Sequence, residues 1–242
     1  MSFTVSWRPS PNHDERRAAV RFLMLHYTGM ERASEALDWL CNPESRVSAH
    51  WFIDTDGTVT QMVAESRRAW HAGRGMFRGV TDMNSASVGI ELHNPGHEWG
   101  YRPFPRRQME ACLWLVGEIV ARHRIDRADV IGHSDFAPTR KDDPGERFDW
   151  GLLAAHGLAL ARPARLLPDP GWEDAAFLAA LARFGYDVAD PQAAVRAFQR
   201  RFRQARVDGA VDGETRAILA TLLRDEAARQ ASGNLPEPPG SP

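Results

Sequence analysis

Cysteine is nearly absent from this chain of 242 residues, which has only Cys41 and Cys112. They lie far apart, and Cys112 falls among periodic apolar positions, so both read as free thiols; a disulfide framework and a cysteine-rich structural zinc cluster are excluded. Nowhere do roughly 18 uncharged apolar residues run together, so no membrane-spanning helix is expected. The opening stretch, MSFTVSWRPSPNHDERRAAV, lacks a basic segment followed by an apolar one, the mark of a secretory signal. A cytoplasmic location is therefore expected, or an envelope location if an export signal has been trimmed. Blocks of like charge are also missing. Lys and Arg total 30 against 32 Asp and Glu, for a net charge of -2, and the local arginines of FQRRFRQAR are too few to indicate a nucleic-acid partner.

What remains is an ordinary globular balance, 43% hydrophobic and 26% charged, with length for one sizeable domain and a small second one. Arg21 to Leu25 is a short apolar run that reads as a buried strand delivering His26 at its end. A helix is predicted over Ala33 to Leu40. Trp51 to Ile53 and Val59 to Val63 flank Asp56-Gly57, a hairpin signal because this pair takes positive φ readily. Ser87 to Leu92 reads as a strand carrying Glu91, Arg106 to about His123 as a helix, and Asp129 to Ile131 as a strand ending near His133. Strands and helices interleave, which predicts an α/β domain over residues 1–160.

The chemistry-bearing residues sit at those strand ends. His26, in FLMLHYT, and His133 and Asp143, in VIGHSDFAPTRKDDPGERF, supply three plausible zinc ligands. Three protein ligands leave a fourth position for water, the arrangement of catalytic rather than structural zinc. Any one of them alone would be unremarkable, and Asp142 is a neighbouring rival for the carboxylate role. If the loop is extended, alternation puts Lys141 and Asp143 on one side and Asp142 on the other. Glu91 follows Gly89-Ile90 in an apolar strand, where an unpaired carboxylate is costly, so a polar site must receive it. The set points to a hydrolase.

Beyond Ala161 the composition shifts. ARPARLLPDPGW, residues 161–172, reads as a Pro-rich linker. Three helical patterns follow within residues 173–224, Asp174 to Phe184, Pro191 to Phe202 and Glu214 to Leu223, with Asp212 placed to cap the last. Residues 225–242 end in SGNLPEPPGSP and are expected to be disordered.

Five motifs, HYT at 26–28, SAHWFID at 48–54, WHAG at 70–73, N-x-x-SVGIEL at 84–92 and GHSDFAPTRKDDPGERF at 132–148, together resemble the zinc-dependent N-acetylmuramoyl-L-alanine amidases of the type 2 amidase family, in its AmpD- and AmiD-like branch. The resemblance implies a central mixed β-sheet flanked by helices. It also implies one zinc ion per chain on His26, His133 and Asp143, Glu91 as catalytic acid and base, and Lys141 as the cation that meets the transition state. Trp70, His71 and Asn84 fall in motifs that the family places near its cleft, and so enter as candidate substrate-binding residues. Where relatives often carry threonine this chain has Asp142. The C-terminal segment, with Phe198-Gln199 and the Asp-Gly turn, resembles the three-helix peptidoglycan-binding domain attached to cell-wall hydrolases. The implied substrate is peptidoglycan or its soluble muropeptides, 1,6-anhydro forms included, cut between N-acetylmuramic acid and L-alanine; the sequence leaves the oligomeric state open, with a monomer as the expectation. Two other readings stand beside it: a recognition protein that keeps the cleft without the chemistry, and a zinc peptidase cutting within the stem peptide. On this reading residues 173–224 are a tethered anchor, dispensable for small substrates.

Overall fold

The computed structural model describes residues 3–232. Its strands are β1 (Val5–Trp7), β2 (His13–Glu15), β3 (Phe22–Tyr27), β4 (Trp51–Ile53), β5 (Val59–Gln61), β6 (Arg67–Ala69), β7 (Ser87–Leu92) and β8 (Val130–Gly132). The helices are α1 (Ala33–Leu40), α2 (Met83–Ala86), α3 (Arg106–His123), α4 (His133–Phe136), α5 (Trp150–Ala155), α6 (Asp174–Phe184), α7 (Pro191–Phe202) and α8 (Gly213–Ala231).

Six strands form a mixed sheet in the order β1-β5-β4-β7-β3-β8, antiparallel at β4-β5 and parallel elsewhere. The antiparallel step is the expected hairpin, with Gly57 at φ +86°. Between β7 and the edge strand β8 lies β3, apolar at successive positions because both its faces are covered. Leu23 and Leu25, with Val88 and Ile90 of β7, turn toward α3 and its buried Met109, Cys112, Val116 and Ile119. Phe22 and Met24 turn the other way. Pleating therefore puts His26 on the face of Phe22 and Met24, and Glu91 on the face of Ser87 and Gly89.

Covering that second face falls to the C-terminal helices. Phe22, Met24, Phe77, Ile131 and Phe136 share one apolar cluster with Phe177, Leu181, Phe184, Tyr186, Phe198, Phe202 and Leu222. The expected tether is corrected accordingly. Residues 161–172 run against α8, where the Leu167 N–H donates to Thr221 Oγ1 at 2.9 Å and Arg216 pairs with Asp169 at 2.6 Å. The physical reason is that the sheet's second face is too apolar to be left to solvent.

The disordered tail expected from residue 225 is also corrected: α8 continues to Ala231. Good helix formers carry it, and two ion pairs fasten it to the sheet domain, Glu226 to Arg78 at 2.8 Å and Arg229 to Asp126 at 3.2 Å. The rest of that tail, from residue 233, lies outside the described residues. Among the described residues no helix is long and apolar enough to cross a membrane.

Candidate metal centre and cleft

Three buried donors meet where β3, α4 and the following loop converge. His26 Nδ1, His133 Nδ1 and Asp143 Oδ2 form a triangle with all three edges at 3.0 Å. A tetrahedral zinc ion, bound at about 2.0–2.1 Å, needs donors about 3.3 Å apart, close to this spacing.

The hydrogen bonds behind the triangle fix where its protons sit. Ser87 Oγ donates to Met83 O at 2.6 Å, so its single proton is used. The His71 Nε2 atom, 3.2 Å from that oxygen, must then be the donor between them, which leaves His71 Nδ1 bare. His26 Nε2, 3.0 Å from His71 Nδ1, therefore carries the His26 proton. Burial holds both rings neutral, with His26 brought down to about 4 and His71 lowered well below its usual value. Likewise His133 Nε2 lies 2.8 Å from Ala72 O and must donate to it. A neutral His133 then turns an Nδ1 lone pair, like that of His26, toward the Asp143 carboxylate. Three lone-pair donors converging without a proton repel one another unless a cation stands among them, so the residues present fit a metal ion.

Glu91 is the register partner of His26 across β3 and β7. Burial, followed by the charge of Asp143, pushes its carboxyl well above the ordinary value, and its Oε2 is buried with no hydrogen-bond partner. Glu91, Lys141 and the three donors line one cleft of about 440 Å3. Lys141 is also the chain's one lysine. Asp142, the rival carboxylate, borders the same cleft but pairs with Arg200 of α7 at 2.7 Å and is not among the three converging donors. The cleft can therefore hold a cation together with a base and a positive charge.

Of the three residues expected to bind substrate, Trp70 lines the cleft, with its buried indole N–H unpartnered. His71 borders the cleft, but both ring nitrogens are committed to His26 and Ser87, so it orients a ligand instead. Asn84 is corrected: it does not line the cleft, and its Oδ1 accepts the His71 and Ala72 N–H groups at 2.9 and 2.7 Å. A short polar side chain is used there to hold the backbone of WHAG in place. Ser87 and Gly89 escaped the sequence reading. A Cβ on Gly89 would lie 2.6 Å from His71 Nδ1, so only glycine leaves room for that ring. The signal was the alternation Ser87, Gly89, Glu91, which is polar or small on one face of an otherwise apolar strand.

The family model for N-acetylmuramoyl-L-alanine amidase matches residues 16–146. The chain is 33% identical to N-acetylmuramoyl-L-alanine amidase AmiD of Escherichia coli, over 87% of each chain. It is 31% identical to 1,6-anhydro-N-acetylmuramyl-L-alanine amidase AmpD of Enterobacter cloacae, over 61% of this chain and 87% of that one. The structure of E. coli AmiD in complex with its substrate anhydro-N-acetylmuramic acid-L-Ala-D-gamma-Glu-L-Lys superposes with a TM-score of 0.77, covering 88% of this chain and 92% of that one. AmpDh3 of Pseudomonas aeruginosa in complex with anhydromuramic pentapeptide gives 0.74 at 29% identity, covering 90% and 96%.

Proposed function

This chain belongs to the N-acetylmuramoyl-L-alanine amidase family, and from that membership we propose that it hydrolyses the amide joining the muramyl lactyl group to L-alanine, acting on anhydro-muropeptides such as those bound by its relatives. The observation that carries the mechanism is the bare triangle of His26, His133 and Asp143 beside a buried, unpartnered Glu91 oxygen.

His26, His133 and Asp143 would hold one zinc ion, which when bound acidifies water and polarises a carbonyl. Glu91 takes the proton of the attacking water; its raised pKa makes it a stronger base than a solvated carboxylate, and equally a competent acid for the departing amine. Lys141 places a fixed positive charge in the cleft, where the scissile carbonyl oxygen becomes an oxyanion. Trp70 contributes to the wall of the cleft that would receive the muropeptide.

Incubation with anhydro-N-acetylmuramyl-L-Ala-D-γ-Glu-diamino acid, followed by mass spectrometry, tests this reading. Release of the intact peptide and the free anhydro sugar is the expected result. Cleavage within the peptide would make the protein a peptidase, and binding without products would make it a recognition protein.

A further inference from the structure

Two adjacent arginines on α7 grip the two ends of the segment that carries His133 and Asp143, two of the three candidate metal ligands. Arg201 is 4% exposed. It donates from Nη1 to Asp135 Oδ2 at 2.7 Å and from Nη2 to Val130 O of β8 at 2.8 Å, with its guanidinium 4.2 Å from the Trp150 ring centroid. Asp135 in turn accepts the Gly132 N–H at 2.8 Å and the Tyr186 hydroxyl. Arg201 and Tyr186, both from the C-terminal helices, thus fix a carboxylate that is itself bonded to the residue preceding His133. At the other end Arg200 pairs with Asp142 at 2.7 Å and approaches Glu146 at 3.6 Å.

Adjacent aspartates at 142 and 143 compete to face the same cation. Arg200 pairs with Asp142, and Asp143 is the carboxylate that meets the two imidazoles. Ligand groups depend on such outer partners for their orientation.

We infer that Arg200 and Arg201 are positioning residues for the metal centre, and that the C-terminal helices complete the catalytic site and are more than an anchor for the cell wall. This rests on the reading that His26, His133 and Asp143 hold a metal ion.

The test uses the full chain and two readouts: zinc affinity by competition with a chromophoric chelator, and kcat and KM on the anhydro-muramyl tripeptide. Arg200→Met should weaken zinc binding by roughly 10- to 100-fold and lower kcat, with KM unchanged and the circular dichroism spectrum intact. The exchanged pair, Arg200→Asp with Asp142→Arg, should restore zinc affinity over Arg200→Met. Because Arg201→Met removes a buried charge and is prone to unfold, Tyr186→Phe probes the other grip by deleting one hydroxyl, and should weaken zinc binding in the same direction. Wild-type zinc affinity in both Arg200→Met and Tyr186→Phe would overturn the inference while leaving the metal reading intact. A wild-type chain that binds no zinc would overturn both.

Discussion

His26 and Glu91 face each other in register across β3 and β7, so the sheet's own hydrogen bonds set the distance between a candidate ligand and the candidate base. No loop intervenes between them. The two functions should therefore separate cleanly by mutation.

Glu91→Gln keeps the shape of the side chain and removes the base. Zinc content measured by atomic absorption should be unchanged, while turnover falls by roughly 100- to 10,000-fold. Loss of zinc in this variant would make Glu91 a ligand instead.

The same substitution has a pH-dependent effect on stability. A carboxyl raised in the folded state retains its proton there after the unfolded chain has released its own, so stability falls as pH rises from about 4.5 through the raised value. In metal-free protein Glu91→Gln should consequently raise Tm at pH 8 and leave it unchanged at pH 4. Equal Tm values at pH 8 would show that the carboxyl is not strained by burial.

Lys141→Met should retain zinc and lower kcat more than it changes KM, because the charge acts on the oxyanion and less on the ground state. Steady-state kinetics on the anhydro-muramyl tripeptide reads the split. A rise in KM alone would reassign Lys141 to substrate binding.

His71→Phe preserves a ring but deletes the acceptor for the His26 proton. Zinc affinity should drop by roughly 10- to 100-fold, and Gly89→Ala should do the same, because its Cβ would intrude on the His71 ring. If His71 acted only on substrate, zinc affinity would stay and KM alone would rise.

A chain ending at Pro170 loses every C-terminal partner of Phe22, Met24 and Phe136. It should lack a cooperative thermal transition in circular dichroism. In the full chain Phe198→Ala, at a fully buried position, should cost about 3–5 kcal/mol in one transition that also abolishes zinc binding. Two separate transitions would restore the picture of an independent anchor.

Much of this was legible in the sequence because it depends on local pattern. The apolar runs of β3 and β7 marked two interior strands of the sheet, whereas alternation did not part the loop residues, since Asp142 borders the same cleft as Lys141 and Asp143. β1, β2 and β6 carry no buried apolar run like those of β4 and β8, because β1 is exposed and β2 and β6 are largely charged. His71 and Asn84 lay in informative motifs, yet their partners are a distant imidazole and local backbone, which no spacing reveals. The last turns of α8 read as a polar tail because the ion pairs that hold them come from Arg78 and Asp126, far away along the chain.

The continuous cluster beneath β3 also bears on synthesis. Phe22 and Met24 leave the ribosome early, whereas α6, α7 and α8, which cover them, are translated last. Until then one face of the nascent sheet is sticky and uncovered, the condition that invites aggregation or chaperone capture. Burial of that face and anchoring of the His133 loop await the same helices, so a prematurely terminated product is expected to be a client for proteolysis and not a partly working hydrolase.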